Sequence, residues 1–208
     1  MSPELYLAFV VATVIALVVP GPTILLVVSY ALARGRNVKL ALVSGVILGD
    51  LIAMSVTLAG LGIVLAASAS VFTMMKWAGA LYLAWMGIGM IRKAGTATAE
   101  LQAVGQRGSG TAFRDGFIVT LLNPKSIGFF IAFVPQFIDS ANPVVPQFLI
   151  MIVTFVGLGG INVLAYALLA ARLRDKVTRP GALAWLQRAG GGVLICLAAF
   201  TLTLRRAV

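Results

Sequence analysis

The chain has 208 residues, of which 61% are hydrophobic and 11% charged, and its mean hydropathy is +1.05. One soluble core of this size cannot bury so much apolar surface, so the composition indicates a membrane protein and excludes an ordinary soluble domain. The net charge of +10 falls mainly in short connections between apolar runs, where it indicates orientation in a bilayer and not nucleic-acid binding.

Six apolar runs follow one another along the chain, and each reaches the roughly 20 residues that cross a bilayer as a helix. The runs are Leu5–Ala33, Leu40–Ser70, Val71–Ile91, Phe113–Ile138, Pro146–Ala171 and Leu183–Leu204. We therefore predict an all-α polytopic membrane protein with six transmembrane helices.

Lysine and arginine concentrate in three of the connections, residues 34–39, 92–114 and 172–182. The excess of positive charge on one side of a membrane marks the cytoplasmic side. The sequence therefore predicts that these three loops are cytoplasmic and that both termini face outward.

Residues 92–112 are small, polar and basic, which is typical of a flexible cytoplasmic linker. This linker divides the chain into a first three-helix unit, 1–91, and a second, 113–208. At an offset of 112 residues, Gly45 falls on Gly157 and Asp50 falls on Asn162. Because each unit has an odd number of spans, the second is inserted upside down, and we predict two inverted repeats within one membrane domain.

Proline motifs interrupt the first and the fourth predicted helices about halfway along. A proline removes a backbone donor and clashes with the preceding turn, so Pro20–Pro22 and Asn123–Lys125 should break these helices. Non-helical backbone at membrane depth persists only inside protein or beside water. The freed amides of the following half-helices, together with the hydroxyls of Thr23 and Ser126, are expected to face a carboxylate there.

Charged side chains are rare inside the predicted spans. Asp50 is the only acid well inside one, Lys125 is the only base near the middle of one, and the chain has no histidine. An intramembrane ion costs on the order of 2.5–3.5 kcal/mol, so both should face the bundle interior. Two interpretations remain open: a structural ion pair or hydrogen-bonded anchor between helices 2 and 4, or a functional site where Asp50 exchanges a proton and Lys125 meets an anion.

Several other patterns indicate helix packing or polar contacts. Asn162 and Tyr166 share a face of the fifth helix, which suits either a polar translocation path or interhelical hydrogen bonds. Gly45-x-x-x-Gly49 favours close helix packing. We interpret one aromatic group at helical spacing mainly as packing: Phe129, Phe130, Phe133 and Phe137.

The motifs together carry a family resemblance over nearly the whole chain. They are Pro20-Gly21-Pro22, Ala33-Arg34-Gly35-Arg36, Gly45 to Asp50, Leu81-Tyr82-Leu83 to Gly87, Asn123-Pro124-Lys125 to Phe129-Phe130, and Pro135-Gln136-Phe137. In these the chain resembles the LysE/RhtB-type amino-acid exporters. The resemblance implies efflux of amino acids or their derivatives across the bacterial inner membrane by proton antiport, a six-span fold and a homodimer. Thr23 stands where many members have Asn or Asp, which leaves the substrate class open.

The predicted function is therefore a secondary exporter with no metal or other cofactor. Asp50 is the predicted proton-coupling residue. Its carboxylate is expected to bind either the counter-moving proton or the substrate ammonium. The predicted substrate-binding residues are Pro20, Gly21, Pro22, Thr23, Asn123, Pro124, Lys125 and Asn162.

Two alternatives come from other classes of protein. The first is a membrane-embedded enzyme on a lipid-linked substrate, with Asp50 and Lys125 as acid and base. It lacks a histidine, a second buried carboxylate and a nucleophile, so we predict that the protein is not an enzyme. The second is a passive channel or an assembly subunit, which needs no proton coupling.

Overall fold

The computed structural model describes residues 1–34, 39–67, 69–95, 111–139, 141–172 and 180–203. Most of the predicted linker 92–112, and the central parts of the predicted cytoplasmic loops 34–39 and 172–182, lie outside the described residues. The division of the chain into two units at this linker stays a prediction.

The described ranges form α-helices and one short 3-10 helix, which confirms the all-α fold. The helices are α1 (Pro3–Val18), α2 (Pro22–Arg34), α3 (Lys39–Ala67), α4 (Ala69–Arg92), α5 (Ala112–Leu121), α6 (Pro124–Ala132), the 3-10 helix (Val134–Phe137), α7 (Val144–Arg172) and α8 (Pro180–Thr203).

The first predicted break is present. α1 ends at Val18, α2 begins at Pro22, and their axes differ by 53°. Pro22 is itself the first helical residue of α2, because a proline fits the first turn of a helix, where its missing N–H is not needed. The non-helical stretch is thus limited to Val19–Gly21.

The second predicted break is also present but is shorter than the motif suggested. Only Leu122 and Asn123 separate α5 from α6, since Asn123 is the N-cap of α6 and Pro124 is its first residue. An Asn cap followed by proline is a favourable helix start. Lys125 projects from the first turn of α6.

Four helical segments are long and apolar enough to cross a membrane, and the bent α1–α2 pair is a fifth if it is counted as one span. The four are Leu40–Gly62, Ala112–Phe137, Val144–Ala170 and Ala184–Thr203. α4 has 24 residues but falls short of the same measure over its described residues, since it carries Lys76, two tryptophans and a tyrosine. A membrane protein of several spans is confirmed, whereas the sixth span and the inverted repeat stay predictions.

Two helix pairs make the most extensive contacts, α3 with α5 and α4 with α8. A Cβ atom added at Gly49 would lie 2.8 Å from the carbonyl oxygen of Phe117 in α5. A Cβ at Gly87 or at Gly191 would meet the carbonyl oxygen of the other. Small residues let these backbones approach closely, so the predicted packing role of Gly45-x-x-x-Gly49 is confirmed.

The aromatic group of α6 and the 3-10 helix packs in the core, as predicted. Its four phenylalanines are at most 5% exposed, and Phe129 and Phe130 both contact the ring of Phe155 in α7. This packing holds the nine-residue α6 between α3, α4 and α7, and thereby fixes the side of the bundle toward which Lys125 points.

Candidate functional site

Both helix breaks border one small cavity inside the bundle. Its volume is about 30 Å³, which is room for about one water molecule. Four helices and the N-cap of α6 supply its polar lining, and these side chains are Thr23, Asp50, Asn123, Lys125, Ser126 and Asn162. Residues that are distant in the sequence, and that the sequence analysis singled out, therefore meet at one place.

Lys125 reaches across this cavity to the end of α1. Its Nζ donates hydrogen bonds to the carbonyl oxygens of Ala16 at 2.9 Å and Val19 at 2.6 Å. Gly21 leaves room for it, because a Cβ there would lie 3.3 Å from Cδ of Lys125. The ammonium therefore caps the negative end of the α1 dipole.

The prolines explain why these carbonyl groups are available. In an unbroken helix, Ala16 and Val18 would accept hydrogen bonds from residues 20 and 22, but Pro20 and Pro22 have no N–H. Buried carbonyl groups need other donors. The break thus creates a set of acceptors that only side chains from elsewhere in the chain can satisfy.

Asn162 and Tyr166 of α7 supply two of those donors. Nδ2 of Asn162 donates to the carbonyl of Leu17 at 3.0 Å, and the hydroxyl of Tyr166 donates to that of Val18 at 2.8 Å. With Lys125, they bind the four successive carbonyl groups that end α1. Of the two interpretations that the sequence left open for this pair, the interhelical hydrogen bonds are present.

The second break is satisfied mainly by its own residues. Oδ1 of Asn123 accepts from the backbone N–H of Lys125 at 3.0 Å and so caps α6. Nδ2 of Asn123 donates to Oγ1 of Thr23 at 2.9 Å, and the hydroxyls of Thr23 and Thr120 lie 3.3 Å apart. The Asn123–Thr23 bond joins the second break directly to the first turn of α2.

Asp50 lies on α3 and is 5% exposed. In the part of the chain that the structure describes, its carboxylate accepts no hydrogen bond and forms no ion pair, although Lys125 lines the same cavity. Gly159 of α7 leaves space beside it, since a Cβ there would lie 3.2 Å from Oδ2. The structural ion pair considered from the sequence is thus not formed in this conformation.

The remaining predicted site residues line a second, larger cavity. Pro20, Gly21, Pro22 and Pro124 border a space of about 510 Å³ between α2, α4 and α8. A neighbouring space of about 290 Å³ lies between α2, α7 and α8. Gln187 lines both spaces. Sequence reasoning missed it, because one glutamine in an apolar run has no motif and no spacing partner.

Metal binding has no support in the described residues, which hold no group of three or more His, Cys, Asp or Glu side chains placed for a metal ion. The chemistry that the small cavity offers is one carboxylate, one ammonium and several neutral hydrogen-bonding groups. Such a set has one group of each charge beside neutral donors and acceptors, in a space of about one water molecule.

Sequence comparison connects this site to known proteins. A homoserine/homoserine lactone efflux protein of Salmonella typhimurium is 31% identical over 208 residues, which cover 100% of both chains. An uncharacterised membrane protein of Vibrio cholerae is 32% identical over 197 residues, 94% of this chain and 95% of its own. A leucine efflux protein of an Enterobacter species is 31% identical over 147 residues, 70% of each chain.

No solved structure matches the chain. The family model of the LysE type translocators, in contrast, matches residues 14–205. That match spans nearly the whole chain, and it includes both helix breaks and every residue of the small cavity. The chain therefore belongs to the LysE type translocator family, as its motifs indicated.

Proposed function

We propose that the protein is a secondary transporter that exports an amino acid or a derivative across the bacterial inner membrane in exchange for protons, with Asp50 as the proton carrier. The observation that carries this proposal is the buried carboxylate of Asp50, which has no hydrogen-bond or ion-pair partner among the described residues and lies where two broken helices meet. Intramembrane acids of this kind are typical of proton-coupled transporters. The efflux proteins among the relatives support the direction of transport.

The proposed substrate site lies between the two breaks. The small cavity of about 30 Å³ is too small for an amino acid, so the site must enlarge when substrate binds. For the substrate carboxylate to meet Lys125, the ammonium has to release the carbonyl groups of Ala16 and Val19. Movement of one half of the bundle against the other would do both at once.

A neutral amino acid is the proposed substrate class. One carboxylate and one ammonium line the cavity, which matches the two charges of a zwitterion without a charged side chain. Two relatives are named for the efflux of homoserine and of leucine, and both of these amino acids have uncharged side chains. These two compounds are therefore the first probes to use.

Inverted repeats would supply the two alternating conformations. The offset of 112 residues that pairs Gly45 with Gly157 and Asp50 with Asn162 supports such a duplication. The reciprocal contact of Gly87 with Gly191 also suits a two-fold relation. We further propose cytoplasmic loops at 34–39, 92–114 and 172–182, outward termini and a homodimer, as the sequence and the family resemblance suggest.

Transport in proteoliposomes tests the proposal. Labelled homoserine and leucine are supplied with and without an imposed pH gradient, and the wild-type protein should accumulate one of them against its concentration gradient. Asp50→Asn should abolish this accumulation while exchange of labelled for unlabelled substrate continues. Asp139→Asn, which changes a partly exposed loop carboxylate outside the cavity, is the control and should behave as wild type.

Other outcomes would support the alternatives. Unchanged accumulation by Asp50→Asn would contradict the role of Asp50. Equilibration of the substrate without accumulation in any gradient would indicate a passive channel. A covalently altered product would indicate an enzyme.

A further inference from the structure

The cavity of about 510 Å³ between α2, α4 and α8 has the size of a small-molecule site, whereas the central cavity does not. Its lining includes the first break, at Pro20–Pro22, and Pro124 at the second break. Arg92 and Lys93, which lie in a predicted cytoplasmic connection, line its other end. The cavity thus leads from the predicted cytoplasmic side to the helix break.

The two halves of the bundle differ in how they close beside the breaks. After the second break, α6 packs against α4. After the first break, α2 is separated from α8 by the two larger cavities. In an inverted repeat, these two helix pairs are counterparts, so one side is closed while the side of Arg92 and Lys93 is open.

Gln187 of α8 is a buried polar residue that lines both of the larger cavities. It is 6% exposed, and its Oε1 has no hydrogen-bond partner in the described residues. Burial of an amide oxygen without a partner is unfavourable. A ligand with a hydrogen-bond donor would satisfy it.

Gln147 of α7 shows what a structural glutamine looks like in the same protein. It is 3% exposed, and its Oε1 accepts from the N–H of Asp139 at 2.9 Å. Its Nε2 donates to the carbonyl oxygens of Asp139, Asn142 and Pro143. Every polar group of Gln147 is used within the fold, whereas Gln187 lines the cavity and its buried Oε1 has no partner among the described residues.

We propose that the cavity between α2, α4 and α8 is the inward-facing binding site for a small zwitterionic amino acid, and that Gln187 hydrogen-bonds to the ammonium or hydroxyl group of this substrate. The basic side chains at the cytoplasmic end attract the substrate carboxylate as it enters. The first break, with Lys125 behind Gly21, receives the substrate next. This inference rests on the proposed export function and adds a specificity-determining residue to it.

The test compares Gln187→Leu with the matched variant Gln147→Leu in proteoliposomes, with homoserine as the probe. Loss of a hydrogen bond to a charged group should raise the KM of Gln187→Leu for homoserine at least about tenfold. Its maximal rate should change little, because binding is weakened uniformly. Its folded yield should equal or exceed that of the wild type, since an unpartnered polar group is removed.

Gln147→Leu should show the opposite pattern, with lower thermal stability and an unchanged KM. An unchanged KM in Gln187→Leu, at wild-type folded yield, would overturn the inference. If the leucine variant folds poorly, Gln187→Met replaces it, because methionine is unbranched and closer in shape to glutamine. The same change in KM is expected for it. If the wild-type protein itself does not transport homoserine or leucine, the proposed function fails instead, so the two failures are distinguishable.

Thiol labelling tests the direction of the opening. In a Cys196→Ser background, Gln187→Cys should react with a membrane-impermeant maleimide from the cytoplasmic side, and homoserine should slow this reaction. Reaction from the opposite side alone, or a rate that homoserine does not change, would contradict an inward-facing binding site at Gln187.

Discussion

The two helix breaks have similar sequences but are stabilised in different ways. At the first break, the carbonyl groups of Ala16–Val19 accept hydrogen bonds from Lys125, Asn162 and Tyr166, which lie more than 100 residues further along the chain. At the second break, Asn123 caps α6, and the N–H groups of Leu122 and Asn123 bond to carbonyl groups in the last turn of α5.

This difference indicates which break can change during transport. The second break is a local turn, so it keeps its geometry when the halves of the bundle move. The first break depends on side chains of α6 and α7, so movement of these helices changes the hydrogen bonds of α1. We therefore expect the end of α1 to be the adjustable part of the site and the start of α6 to be its fixed support.

Lys125→Met should destabilise the first break more than any other substitution considered for the two breaks. It leaves the carbonyl groups of Ala16 and Val19 buried without donors, which should lower the free energy of unfolding by about 3 kcal/mol. Transport should be lost as well. Denaturation in detergent micelles and homoserine efflux measure the two effects. Arg114→Met, which removes an exposed cation from α5, is the control and should change both little, so equal stability of the two variants would contradict a capping role for Lys125.

The neutral donors of the first break should have intermediate effects. Asn162→Leu and Tyr166→Phe each remove one hydrogen bond to α1, and each should lower the free energy of unfolding by about 1 kcal/mol. Tyr6→Phe, which removes a hydroxyl of α1 that bonds to Thr154 at an exposed position, is the matched control for Tyr166→Phe. Should Tyr166→Phe be no less stable than Tyr6→Phe, the first break does not depend on α7.

Asn123→Ser, at the second break, should have the smallest effect on the free energy of unfolding. Serine still caps α6, so only the bond to Thr23 is lost, and the free energy of unfolding should fall by about 0.5 kcal/mol. Asn123→Ala, which also removes the cap, should cost about 1 kcal/mol more. A larger loss in Asn123→Ser than in Asn162→Leu would mean that the second break is not locally stabilised.

The positions of both breaks could be predicted from sequence, because proline acts through its own backbone. Pro20 and Pro22 remove donors wherever the helix lies, and an Asn-Pro pair starts a helix by itself. The shared face of Asn162 and Tyr166 followed equally from helical periodicity. Local rules of this kind need no knowledge of the neighbouring helices.

The partners of these residues could not be predicted, because they depend on how the helices pack. The rarity of an intramembrane lysine identified Lys125, but only the arrangement of the helices shows that its Nζ donates to the carbonyls of Ala16 and Val19. Gln187 was missed for a related reason. The features that distinguish it are the cavity that it lines and an Oε1 without a partner among the described residues, and neither leaves a pattern in the sequence.

The most direct test of the central claim is to measure proton and homoserine movement in the same vesicles. Proteoliposomes that contain a trapped pH-sensitive dye receive a gradient of labelled homoserine, and no pH gradient is imposed. In wild-type vesicles, we predict that protons move in the direction opposite to homoserine. In Asp50→Asn vesicles, labelled and unlabelled homoserine should still exchange, but no protons should move. Proton movement by Asp50→Asn at the wild-type ratio to homoserine would contradict the account.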